Sequence, residues 1–235
     1  MIKTEGLTKR FDDQLAVTST GLDMVAFLDV ESGMPRNLIN VTGRDIWYRH
    51  SPTIDYRLVH STRPHDGHPN YIFRINDEFW VTRCTYDDAI CLDDPSKRID
   101  IGRGRGATAH DGIVIDNEIF FTTVDGRLAV ADSKLNAIVR DLDLLGMENN
   151  KLLRGWCRGL FIDGIYAFVG FSKLRETEDR RKVKWINRFR GAEQVNQASV
   201  VCYDLIAQKK IDEWRFDAEE IGCIYGVFAE PREGI

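Results

Sequence analysis

The chain has 235 residues, 43% of them hydrophobic, with 32 basic and 37 acidic side chains and a formal net charge of -5. That composition excludes a disordered chain, which lacks the apolar residues for a core, and a general nucleic-acid coat, which needs surplus Lys and Arg to displace counterions. No run approaches the roughly eighteen apolar residues of a membrane span, the first residues carry no secretory apolar segment, and five scattered cysteines without a Cys-x-x-Cys pair suit a reducing compartment, so one cytoplasmic domain is expected.

In chain order, one pattern recurs: a β-rich run holding a small polar residue, a turn, then a second run ending in Asp. Residues 15–18 lead through Gly21 to 24–29, and an outer strand follows at 36–41. A long connection, 43–69, comes next, and residues 56–62 within it offer an extra strand. The second copy runs 79–82, Asp87-Asp88, 89–93, then 98–101, with a leading strand at 71–75. The third runs 119–122, 127–132 and 137–142, turning at Asp125-Gly126, whose pairing supplies positive φ, with a leading strand at 112–115. Residues 142–153 allow a short helical connection. The fourth copy has a leading strand at 159–162, then 166–170, a charged insertion, 199–204 and 210–216.

Four strands every forty to fifty residues is the size of a propeller blade. The prediction is an all-β fold, a β-propeller of about four blades, or five if residues 56–62 contribute. The blades span 12–42 plus 221–230, 70–101, 108–145 and 157–216, with a basic insertion at 173–196. The first copy lacks a leading strand and the chain has an orphan apolar run at 223–229, so closure by that run pairing with the first blade is expected. The fourfold similarity disfavours the competing β-sandwich.

Arg158-Gly159-Leu160, the run from Ala167 through Gly170 and Lys173 to Arg175, and Trp214-Arg215-Phe216 resemble the C-terminal half of a bacterial domain-of-unknown-function family of propeller-like proteins. The match lies in residues 155–235, and the N-terminal part is shorter than the family pattern. The resemblance implies the fold and carries no mechanism.

Leading strands of a propeller line its channel, so their starts converge on one mouth. The candidates there are His65, His68 and Asn70; His110 and Asp111; Cys157 and Arg158; and Glu220, Cys223 and Tyr225. His68 and His110 are candidate ligands for a divalent metal such as Zn, with an open position for water or substrate, although histidines in a loop also serve as hydrogen-bond partners. A metal-free site would use His110 as general base and Arg158 as oxyanion stabiliser, against the alternative of an Arg158 ion pair with Asp111 or Glu220. His65, Tyr225 and Glu220 would bind ligand. Gly102-Arg103-Gly104-Arg105-Gly106 resembles a phosphate loop but lacks a following helix, so it reads as a blade connection whose Arg103 and Arg105 could catch an anion. Residues 173–190 hold eight basic and three acidic side chains interleaved with Trp185, Ile186 and Phe189, which fits a lid or a docking surface for an acidic partner.

Two functions follow as expectations. One is a small-molecule site at the channel mouth performing a lyase, isomerase or hydrolase reaction with metal assistance. The other is a non-catalytic platform for a protein, glycan or anionic partner, with neither membrane nor nucleic acid as partner.

Overall fold

The computed structural model describes residues 8–11, 13–102, 108–148, 152–173, 193–217 and 219–229. The fold is all-β, with four four-stranded antiparallel meanders and three single-turn 3-10 segments among the described residues. The first sheet joins β1 (Thr8–Phe11), β2 (Gln14–Ser19), β3 (Met24–Asp29) and β4 (Pro35–Asn40) in that order. The second joins β5 (Pro69–Ile75), β6 (Glu78–Arg83), β7 (Asp88–Cys91) and β8 (Arg98–Asp100). The third joins β9 (Ala109–Ile115), β10 (Glu118–Thr123), β11 (Arg127–Asp132) and β12 (Ala137–Asp143). A parallel pair, β13 (Leu152–Leu153) with β16 (Glu193–Gln194), accompanies the fourth sheet of β14 (Cys157–Asp163), β15 (Tyr166–Phe171), β17 (Ser199–Asp204) and β18 (Lys209–Arg215). No helix among the described residues is long and apolar enough to cross a membrane.

The recurring Asp is a turn device. The side chain of Asp29 accepts from the backbone N–H groups of Glu31 and Ser32, Asp132 from Lys134 and Leu135, and Asp204 from Ile206 and Ala207. Each fixes the turn from third to fourth strand by offering the backbone a local acceptor. A second repeat ties the fourth strand back. The residue after it donates its N–H to the carbonyl just before the third strand: Val41 to Asp23, Ile101 to Asp87, Leu144 to Gly126 and Phe216 to Ala198, at 2.9–3.1 Å. Asp23, Asp87 and Gly126 all have φ between 53 and 81°, the left-handed conformation that Gly and short Asx side chains tolerate.

The chain divides into two compact units, residues 1–119 with 131–138, and 120–130 with 139–235. In the first, Ala16, Val25, Phe27, Val41, Ile72, Val81, Ile90 and Leu92 form one buried cluster joining the first two sheets. Thr20 Oγ1 donates to Pro69 O at 2.8 Å, and Asn70 Nδ2 donates to Ala109 O at 3.1 Å, so β5 is tied to the first sheet on one side and to β9 on the other. In the second unit, buried Arg154 is held by Glu148 and Glu213, each at 2.8 Å, while Tyr203 donates to Glu148 at 2.9 Å.

Three expectations are corrected. The first sheet does not lack its leading strand: β1 pairs with β2 from Thr8↔Val17 to Phe11↔Gln14, and Phe11 packs edge-on against Phe79 at 5.1 Å. The run at 221–229 forms no strand and lies instead on the fourth sheet, where Lys173 N–H donates to Gly222 O at 2.9 Å and Ile224 N–H to Ser172 Oγ at 3.3 Å. Residues 56–62 add no strand either. Tyr56–Leu58 is a 3-10 turn started by Asp55, whose carboxylate accepts from the Arg57 N–H.

Candidate functional site

Three of the four leading strands, β5, β9 and β14, begin irregularly, which is how a sheet re-aims a side chain. In β5 the pairing slips between Pro69 and Tyr71, leaving Asn70 as an extra residue. In β9, Asp111 has φ 53°. In β14 the register slips between Cys157 and Leu160, so that Arg158 and Gly159, the latter at φ 82°, together oppose Gly170.

In the first unit the loop entering β5 hangs on one buried carboxylate. Asp23, 1% exposed, accepts from the N–H groups of Asp66, Gly67 and His68 at 2.8–2.9 Å. Gly67 must be glycine here, since a Cβ would lie 2.5 Å from Val41 Cγ2. The loop brings His65 and His68 together, with Nδ1 atoms 3.1 Å apart and ring centroids 5.0 Å apart. One ring donates and the other accepts, so the pair cannot hold two full charges in this geometry. Burial is the main cause lowering the His65 pKa; the Asp23 charge opposes it, and Arg63 and Arg49 reinforce it. His60 is exposed. His110 and Asp111 are both buried, and the Tyr71 phenol is pushed up in pKa by its burial and then by the Asp111 charge. No three His, Cys, Asp or Glu side chains gather as metal ligands among the described residues. His68, the candidate ligand, is engaged with His65.

In the second unit Arg158 lies between two aromatic rings. Its guanidinium carbon is 5.1 Å from the Trp156 ring centre and 4.5 Å from that of Tyr225. Trp156 is 41% and Tyr225 52% exposed, so the sandwich opens to solvent. The Arg158 Nε is buried without a hydrogen-bond partner, and Arg158 makes no ion pair among the described residues. The alternative ion pair with Glu220 is therefore absent; Glu220 sits exposed in a turn where its N–H donates to Asp217 O at 3.2 Å. Tyr225 arrives because the terminal run crosses β14 at Gly159, where a Cβ would come within 3.1 Å of the Gly226 nitrogen.

Of the predicted residues, His65 meets His68 and Arg158 meets Tyr225. Trp156 was missed, because the sequence gives no sign that the residue before the bulge stacks on the one within it. Arg103, Arg105 and residues 174–192 of the insertion lie outside the described residues.

No family model and no curated protein matches the chain. Among solved structures it is similar to the computationally designed Ika8 protein, with TM-score 0.50 and 7% identity over 95% of this chain and 52% of that one. It is also matched to the dihydro-heme d1 dehydrogenase NirN in complex with DHE, TM-score 0.47 and 11% identity over 88% of this chain and 37% of that one. A chain of the mitotic checkpoint complex gives TM-score 0.49 and 8% identity over 89% of this chain and 50% of that one. The chain thus spans about half the length of these proteins or less, and the likeness to the designed protein is one of fold alone.

Proposed function

We propose that this chain is a four-bladed β-propeller that binds an anionic small molecule, with Arg158 as the charge that captures its carboxylate or phosphate. The observation that carries this reading is a half-buried guanidinium stacked by Trp156 and Tyr225, with no carboxylate to neutralise it among the described residues. Stacking of this kind contributes about 0.5–1 kcal/mol per ring and fixes the guanidinium plane while leaving its N–H edge for bidentate hydrogen bonds. A structural arginine in this protein is treated differently: Arg154 is ion-paired to Glu148 and Glu213, and Arg83 to Asp88. The four repeated meanders support the propeller, since three repeat the same Asp turn cap and all four the same tie from fourth strand to third. The five cysteines are free, in keeping with residence in the cytoplasm.

The test is thermal unfolding of the full chain titrated with citrate and with inorganic phosphate, for wild type, Arg158→Gln and Tyr225→Leu. At a hundredfold excess over Kd a bound anion adds about 2.7 kcal/mol, a shift of roughly 5–10 °C for a chain of this size. Arg158→Gln should abolish the shift and Tyr225→Leu weaken it, with both variants folded by circular dichroism. An equal shift in Arg158→Gln, or none in the wild type, would sink the proposal.

A further inference from the structure

The second sheet shows what each face of a sheet in this protein packs against. Its first turn, closed by Ile75↔Glu78, matches the turn at Phe11↔Gln14 in the first sheet and at Asp163↔Tyr166 in the fourth, so the three sheets align residue for residue. One face of the second sheet, with Ile72, Val81, Ile90 and Leu92, is buried in the cluster shared with the first sheet. The other, with Phe73, Trp80, Cys91 and Ile99, is buried too. There β9 lies so close that a Cβ at Gly112 would come 2.6 Å from Phe73 Cδ1. Alternating side chains thus give this sheet two apolar faces, and each has a neighbouring sheet.

The first and fourth sheets each carry one such face that is partly exposed. In the fourth, the counterparts of Phe73, Trp80, Cys91 and Ile99 are Phe161, Phe168, Cys202 and Trp214. Phe161 and Phe168 repeat the ring pair at 6.0 Å but are only half-buried, and Trp214, stacked on Phe168 at 6.1 Å, is 44% exposed. The terminal run covers the end of this face at Gly159 and Gly170. In the first sheet, the counterparts of Val81, Ile90 and Leu92 are Val17, Ala26 and Leu28, half-buried where the originals are buried.

The charges of these two faces match. Arg74 of the second sheet lies over the Phe11 ring of the first, 6.0 Å from its centre. The counterpart of Arg74 in the first sheet is the exposed Arg10, and that of Phe11 in the fourth sheet is the exposed Asp163. The same packing, repeated with the first sheet of another copy against the fourth sheet of this one, brings Arg10 to Asp163. It also buries Val17, Ala26 and Leu28 against Phe161, Phe168 and Trp214. We infer that the chain associates head to tail with a second copy through these faces, a heterologous contact whose smallest closed product is a dimer that uses it twice. The inference rests on the sheet repeat and requires no ligand at Arg158.

The experiment is sedimentation velocity of the full chain across a concentration series, with circular dichroism to confirm that each variant is folded. The wild type should sediment as a concentration-dependent dimer. Trp214→Glu, in the middle of one face, and Ala26→Glu, in the middle of the other, should each weaken association about a hundredfold. Mixed together, the two variants should form a heterodimer, because Trp214→Glu keeps an intact first-sheet face and Ala26→Glu an intact fourth-sheet face. Arg10→Glu sets like charges opposite each other and should raise the dimer Kd about tenfold, and adding Asp163→Arg to the same chain should restore it. A wild type that is monomeric at every concentration overturns the inference. So does a dimer that survives Trp214→Glu, or a pair of folded variants that fails to associate on mixing.

Discussion

Replacing Asp23 tests whether a single carboxylate positions the loop that enters β5. Its Oδ1 accepts from Gly67 and His68, and its Oδ2 from Asp66. Gly67 is buried, so its N–H loses its acceptor with no water to replace it, costing about 1–3 kcal/mol; the other two, half-buried, lose about 0.5–1.5 kcal/mol each. The total is about 4 kcal/mol, or roughly 10 °C in Tm for a domain of this size. Asp23 also sits at φ 55°, where alanine adds backbone strain of about 1–2 kcal/mol. The set Asp23→Ala, Asp23→Gly and Asp23→Asn separates the two effects under urea denaturation at constant m. Glycine relieves the strain but not the lost bonds and should stay near a 4 kcal/mol loss. Asparagine keeps the Oδ1 bonds and should lose about 1–2 kcal/mol. A glycine variant as stable as wild type would show that the conformation alone matters, and an asparagine variant as damaged as alanine would refute the hydrogen-bond account.

Stability should fall in two steps with acid. His65 has its pKa lowered in the fold, so its contribution is lost as pH drops through its ordinary value of 6.5 toward the folded one, and denaturation of His65→Gln should lack that first step. Glu213, whose burial opposes ionisation but whose bonds to Arg154, Arg215 and Lys210 outweigh it, holds a depressed pKa, so a second loss begins below its ordinary 4.5. Arg154→Met strands the buried Glu148 carboxylate and should cost about 3–5 kcal/mol in urea; a loss under 1 kcal/mol would mean that Tyr203 and Lys210 suffice. Gly170→Ala would place a Cβ 2.5 Å from both Arg158 O and Ile224 Cγ2, lowering Tm by roughly 5–10 °C; an unchanged Tm would contradict the packing of the terminal run on the fourth sheet.

The repeated meanders were legible because their marks are local. Asp29, Asp132 and Asp204 each cap the turn immediately following, so a repeated letter at a repeated spacing is enough to find them. The first leading strand was not legible. Thr8–Phe11 reads as mostly polar, and its one apolar residue finds its partner, Phe79, on another sheet. The terminal run misled for the opposite reason, since its apolar letters look like a strand. Gly222 and Gly226 sit within it, and its isolated bonds to Ser172 and Lys173 replace a ladder.

The candidate site divides along the same line. That leading strands start with reactive side chains was visible, because those starts follow recognisable connections. What the side chains do there depends on where the pairing slips by one residue, and a slip leaves little trace in the letters. At β14 the only hint was Gly159, whose φ of 82° permits the bulge and whose missing Cβ admits Gly226. Those two properties of one glycine bring Tyr225 over Arg158, with Trp156 supplied by the residue before β14. An arginine that composition would assign to an ion pair is thereby held between rings with no ion pair among the described residues. The consequence for reading such repeats is physical: glycines opposite each other at a strand start mark where backbone passes close, and the charged residue beside them is the one to test for a ligand.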